Sequence, residues 1–321
     1  MTIVIIGAGA IGRLFGFYLS RGGHEVLLVE KRPEVVAAVN DRGLGLVPAQ
    51  ADTPDNVSYT AAVAYPGADR ISRCDLVILA VKSFDTLAAV QAAAHLVARD
   101  SPVITLQTGL GNIEVLERVV DRRHIIGGFT FMAGTALGPG IVRHGGMGKT
   151  YLGELDGAIS ERLRKVTDLF SDCGLPCSPV HRIMGRLWCK VIVYAAINGL
   201  TSILQVKNGR LLDAVESITL LKRLIDEGRR VAEARAVDLV FHDLYRLLFD
   251  ACRRTEGNLS SMLQDILNGR RTEIDAQCGA LVRFAEEAGV AAPTQQTVVE
   301  LVKLMEMRSR SQGRAIREEG A

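Results

Sequence analysis

Ile3-Val4-Ile5-Ile6-Gly7-Ala8-Gly9-Ala10-Ile11-Gly12 is an apolar strand running straight into a glycine-rich turn, and an apolar-striped helix is expected from Arg13 to Arg21. Gly7 permits a tight strand-to-helix reversal, Gly9 lets the backbone approach a pyrophosphate, and Gly12 lets helix and strand pack closely. The phosphates would then meet the helix N-terminus, where open N–H groups favour anions. The motif alone is weak, and its context strengthens it: a second strand, Glu25 to Val29, follows and ends in the acidic Glu30. That carboxylate is placed to accept from a ribose 2′-OH and to repel a 2′-phosphate, but Lys31 and Arg32 follow at once. Gly7, Ala8, Gly9, Ala10, Ile11, Gly12 and Glu30 are therefore the expected nucleotide site. The plainer alternative is a glycine turn without a ligand.

Outward from that turn, strand and helix patterns alternate. A helix is expected from Pro33 to Asn40, and a buried strand from Asp75 to Val81 that ends at Lys82. A further helix is expected over Thr86 to Val97. The next strand, Pro102 to Leu106, ends in the turn Gln107-Thr108-Gly109-Leu110-Gly111-Asn112. Such alternation predicts a doubly wound α/β sheet with ligands at the carboxyl ends of its strands. The glycine-rich stretch from Thr130 to Glu154 suggests antiparallel additions to the sheet. After Pro179 long helical patterns take over, so a Rossmann-type domain over 1–180 and an all-helical domain over 181–321 are expected. The polar tail from Arg308 to Ala321 is expected to fray.

The chain has 321 residues and 38 Lys and Arg against 36 Asp and Glu, without long runs of like charge. Nucleic-acid binding has little support from such a balance. No apolar stretch reads as a membrane span or a cleavable leader, which points to a cytoplasmic protein. The six cysteines are scattered. Only Cys173 and Cys177 lie close, and no further His or Cys completes a metal set, so reduced thiols and no metal are expected.

Two clusters can carry chemistry. Lys190, Tyr194 and Asn198 recur at every fourth position of an otherwise apolar helix, which stacks three polar groups along one face. The lysine there either reaches out to solvent or faces a polar cavity. The second cluster is Gly257-Asn258-Leu259-Ser260-Ser261-Met262-Leu263-Gln264-Asp265, followed by Arg271-Thr272-Glu273-Ile274-Asp275. On composition alone, helix capping by Asn258 or Ser260 and a solvated acidic face explain it.

Taken together, these segments resemble the ketopantoate reductase (2-dehydropantoate 2-reductase) family over nearly the whole chain. The resemblance rests on the GAGAIG turn, Ala80-Val81-Lys82, Gln107 to Asn112, Gly138-Pro139-Gly140-Ile141-Val142-Arg143-His144, Leu187-Trp188-Cys189-Lys190, Asn198-Gly199-Leu200-Thr201, Asn208-Gly209, and the two later clusters. It implies a nicotinamide-dependent reduction of a 2-oxo acid held between the two domains. Lys190 matches the family's general acid and Glu273 its acidic partner. Asn198, Asn208, Asn258 and Ser261 match substrate-pocket positions, Lys82 lies near cofactor and substrate entrance, and Lys31 matches the basic residue that receives the 2′-phosphate of NADP. NADP is thus expected, with NAD as the alternative. Two positions depart from the family: Thr108 and Tyr194 stand where asparagines are common, so the pocket for the acid differs in shape and hydrogen bonding. A D-2-hydroxy acid dehydrogenase acting on a bulkier branched or aromatic acid is the alternative enzyme, and a nicotinamide-binding protein without turnover the alternative outside catalysis. A homodimer through an apolar face of the helical half is also expected.

Overall fold

The computed structural model describes residues 1–49, 56–97 and 101–318, with side chains described as far as 309. The chain runs β1 (Thr2–Ile6), α1 (Ala10–Arg21), β2 (Glu25–Val29), α2 (Pro33–Arg42), β3 (Leu44–Val47), β4 (Ser58–Thr60), β5 (Val63–Tyr65), β6 (Leu76–Leu79), α3 (Thr86–Ala92), β7 (Val103–Thr105), α4 (Asn112–Leu116) and β8 (Ile125–Thr130). It continues with β9 (Ala133–Gly138), β10 (Ile141–Gly146), β11 (Thr150–Glu154), α5 (Glu161–Asp172), β12 (Cys177–Pro179) and α6 (Ile183–Leu204). It closes with α7 (Val215–Ala234), α8 (Leu244–Arg254), α9 (Ser261–Leu267), α10 (Cys278–Glu287) and α11 (Pro293–Glu318). Two compact units result: Met1–Gln107 with Asn112–Ile183, and Thr108–Gly111 with Met184–Ala321.

In the first unit the main sheet has the order β12-β11-β8-β7-β6-β1-β2-β5. The chain leaves β1 for β2 on one side and crosses to β6 on the other, so the strand order reverses between β1 and β6. Ile3 and Ile5 pack into one apolar layer and Val4 and Ile6 into the opposite one. This period of two, buried on both faces, is why β1 is apolar from Ile3 to Ile6. The sheet is parallel except at β8 and β11, which pair antiparallel. The hairpin of β9 and β10 does not extend this sheet, contrary to expectation. It joins β3 and β4 in a separate sheet of order β4-β3-β10-β9. The helix expected over Thr86 to Val97 ends at Ala92, and a 3-10 turn over Ala94–Leu96 follows it.

The second unit is helical around α6. By length and composition α6 could cross a membrane, a property the sequence reading did not ascribe to it, yet 78% of its most apolar window is buried in the protein. Trp188 stacks on Phe284 of α10 at 5.3 Å between ring centres, and Ile192, Ala196 and Ile197 are buried completely. The polar tail, expected to fray from Arg308, continues as helix to Glu318, and the last three residues lie outside the described ones.

Candidate functional site

At the strand-order reversal the backbone turns sharply. Gly7 has φ +100° and its N–H donates to Val29 O at 2.9 Å, while a Cβ on it would lie 2.8 Å from Val81 N. A Cβ on Gly12 would stand 1.9 Å from Gly7 O, so helix and strand meet with no room for a side chain. Gly9 differs, since its Cβ would meet nothing nearer than Ala80 O at 3.9 Å. Packing therefore does not require glycine at position 9, and open space over the turn suits a bound group. No side chain caps the start of α1 at Gly9, and its first turn carries no acid. Those features fit a pyrophosphate drawn to free N–H groups.

The peptide of Ala8 is held from both ends. Its N–H donates to Glu30 Oε2 at 3.0 Å, and its carbonyl accepts from Arg13 Nε at 2.7 Å and from Arg32 Nη2 at 3.2 Å. Arg13 is only 1% exposed and also donates to the carbonyls of Gly138 and Ile141, tying the turn to the β9–β10 hairpin. Glu30, itself buried, accepts from Arg32 N and Nε through Oε1 and from Arg32 Nη2 through Oε2. Burial acts to raise its pKa, but hydrogen bonds and charge from Arg32 outweigh this and leave it below the usual value. Lys31 pairs with Asp85 at 2.8 Å and stays mostly exposed. Lys82 is half-buried at the end of β6. Beside it, Gln107 Nε2 donates to Val81 O at 3.0 Å and to Thr86 Oγ1 at 2.7 Å, a link the sequence reading had not picked out.

In the helical unit, α6 places Lys190 and Tyr194 together, with Lys190 Nζ 5.8 Å from the centre of the Tyr194 ring. Burial lowers the Lys190 pKa, the charge of Glu273 pulls it partly back, and the net result is about 8. Glu273 is buried, 7% exposed, and begins the 3-10 turn Ile274–Ala276. Against that turn sits the segment carrying Thr108: Leu110 N donates to Ala276 O at 2.8 Å, and a Cβ on Gly109 would lie 2.5 Å from the same oxygen. Further along α6, the buried Asn198 donates to Gln277 Oε1 at 2.9 Å, a partner not foreseen from sequence. Asn208 N donates to Asn258 O at 3.0 Å, and Asn208 Nδ2 to Thr255 Oγ1 at 2.8 Å. Asn208 Oδ1 is buried without a donor among the described residues. Ser260 caps α9 by accepting from Leu263 N, while Asn258 and Ser261 are exposed beside it.

The profile of the family described as Ketopantoate reductase PanE/ApbA matches residues 3–157, and that of its C-terminal part matches 182–306. The chain is 34% identical over 304 residues to the 2-dehydropantoate 2-reductase of Halobacterium salinarum, covering 95% of this chain and 98% of that one. To the enzyme of the same name from Pyrococcus abyssi it is 32% identical, covering 94% and 97%. Among solved structures, D-mandelate dehydrogenase with NADH and anilino(oxo)acetate superimposes with a TM-score of 0.89 at 28% identity, over 96% of this chain and 99% of that one. A PanE/ApbA family ketopantoate reductase from Ralstonia eutropha JMP134 gives 0.87 at 29% identity, over 97% and 100%. With both profiles matched and the relatives aligned along nearly their whole length, the chain belongs to the ketopantoate reductase family.

Proposed function

We propose that this chain reduces the keto group of 2-dehydropantoate, with Lys190 as proton donor and Glu273 as its partner. The observation that carries the reading is the pair itself: a lysine whose pKa is about 8 and a buried carboxylate whose charge acts on it. When bound, reduced nicotinamide supplies the hydride to the keto carbon. Lys190 gives its Nζ proton to the carbonyl oxygen and stabilises the negative charge growing there. Glu273 favours the ammonium form that this step needs. Asn208 Oδ1, buried and lacking a donor among the described residues, suits a hydroxyl of the substrate. Asn198, Asn258, Ser261, Thr108 and Tyr194 complete the proposed substrate residues.

The family uses a nicotinamide cofactor, and NADPH is the proposed form here. An ionised carboxylate offers about four acceptor positions. Those of Glu30 are met by Ala8 N and by Arg32 N, Nε and Nη2, so a ribose diol would have to displace Arg32. A 2′-phosphate would instead receive cations from Arg32 and Lys31.

A second reading, a D-2-hydroxy acid dehydrogenase for bulkier acids, is favoured by the Tyr194 ring beside Lys190 and by the likeness to D-mandelate dehydrogenase. Oxidation of NADPH and NADH with 2-dehydropantoate and a panel of branched and aromatic 2-oxo acids separates the two. Fast turnover of 2-dehydropantoate supports the first reading, turnover of bulky acids alone the second, and none at all removes both.

A further inference from the structure

Glu273 lies in a short loop between α9 and the Ile274–Ala276 turn, and that loop is fastened from α11. Glu306 Oε1 accepts from Thr272 N at 2.7 Å and from the Thr272 hydroxyl at 2.5 Å. The same hydroxyl oxygen accepts from Ile274 N at 3.2 Å. One carboxylate oxygen and one hydroxyl thus bind the residues on both sides of Glu273. Thr272 and Ile274 are each 1% exposed, so the loop ends of these bonds are shielded from water while the Glu306 carboxylate is half-buried, and a carboxylate acceptor is strong. A second tie between α11 and the loop joins Lys303 to Asp275 at 2.8 Å, with Arg271 on the same carboxylate at 3.3 Å. All three are about half exposed, so that tie is screened and weak.

We propose that Glu306 is a positioning residue for the reaction: by holding Thr272 it fixes how the Glu273 carboxylate is presented to Lys190. The inference rests on the roles assigned above to Lys190 and Glu273. It gives a role to a half-buried carboxylate near the middle of α11 that bonds a buried threonine.

The test compares Glu306→Ala, Glu306→Gln and Thr272→Val in the full chain. Gln keeps an accepting Oε1, whereas Ala removes it and Val removes the hydroxyl while preserving shape. Two readouts are taken. One is kcat with 2-dehydropantoate at saturating NADPH, and the other is the titration of the Lys190 ammonium followed by NMR on labelled lysine. Glu306→Ala and Thr272→Val are expected to lower kcat by about 10- to 100-fold, as a misplaced catalytic group does, with the KM for NADPH unchanged. Both are also expected to move the Lys190 titration down by about half a unit or more, because Glu273 raises it. Glu306→Gln restores both values. Folded variants with wild-type kcat and titration overturn the inference, as does equal loss in Gln and Ala. Should Glu306→Ala not fold, the isosteric Thr272→Val decides. The titration is read without turnover, so a wild-type protein inactive on every 2-oxo acid would sink the assigned reaction while this positioning contact is still judged.

Discussion

Arg32 grips Glu30 in a fork, Nε to Oε1 at 2.9 Å and Nη2 to Oε2 at 2.8 Å, while Ala8 N takes Oε2 from the turn side. The acid that ends β2 is therefore neutralised before a cofactor arrives, and selectivity between dinucleotides depends on which partner is removed. Arg32→Ala frees acceptor positions on Glu30 and withdraws the cation from a 2′-phosphate. The ratio of kcat/KM for NADPH over NADH should fall by about 10- to 100-fold, the worth of a hydrogen bond to a charged group. Glu30→Ala should raise it, since Arg32 is released. Lys31→Ala should change it less, because Lys31 is exposed and paired with Asp85. A larger effect at Lys31 than at Arg32 would return the determinant to Lys31.

In the proposed mechanism Lys190 gives the reaction its pH dependence. Its pKa is lowered to about 8 by burial, against an upward pull from Glu273. A general acid must hold its proton, so reduction should be flat below this value and fall with rising pH through about 8. Oxidation of the hydroxy acid, which needs the neutral amine as base, should rise through the same range. Lys190→Ala should lower kcat by about two to four orders of magnitude with cofactor binding nearly intact. A wild-type kcat in that variant would remove Lys190 from the mechanism, and a Glu273→Gln variant should shift the falling limb to lower pH.

Arg13 secures the glycine turn at the start of α1. The residue is 1% exposed, and its guanidinium meets the carbonyls of Ala8, Gly138 and Ile141. Arg13→Met would leave these acceptors without their donors, at a cost of about 1–3 kcal/mol for each group left buried and unsatisfied. Thermal unfolding should shift down by several degrees, and the Kd for NADPH should rise while the KM for the oxo acid at saturating cofactor changes little. An unchanged unfolding temperature would mean that water or rearranged backbone meets these carbonyls instead.

What could be read from sequence was what is local. The period-two apolar run of Ile3 to Ile6 and Gly12, which packs on Gly7 O five residues back, state their own packing, whereas the close approach at Gly7 is to Val81, far along the chain. Strands β3 and β4 escaped that reading. Leu44–Val47 and Ser58–Thr60 are short, and the strand that β3 joins, Ile141–Gly146, comes about a hundred residues later. Arg13 escaped because its acceptors are backbone carbonyls, which carry no residue signature. Gln277 and Glu306 escaped for a related reason: their partners, Asn198 and Thr272, are distant in the chain, and pairing across such a distance has no periodicity. The Lys190, Tyr194 and Asn198 spacing did mark one helix face. Of its two readings, the half-buried lysine with a lowered pKa favours a polar cavity over a side chain reaching freely into water.

Tyr194 offers the sharpest test of substrate identity. Its ring lies 5.8 Å from Lys190 Nζ, near enough for an attraction between ammonium and ring face of roughly 0.5–2 kcal/mol. A phenol one helical turn from the proposed proton donor offers an apolar ring beside its ammonium. Tyr194→Asn should therefore favour a hydroxyl-bearing acid over an aromatic one, since a site that hydrogen-bonds a substrate hydroxyl discriminates more strongly than one that packs against it. The ratio of kcat/KM for 2-dehydropantoate over a phenyl-bearing 2-oxo acid should rise by about tenfold or more. Loss of the ring should also make the ammonium less favourable, moving the falling limb of reduction below about 8. A shifted limb with an unchanged substrate ratio would show that Tyr194 acts on the lysine alone, and an unchanged limb with a shifted ratio would show that it acts on the acid alone.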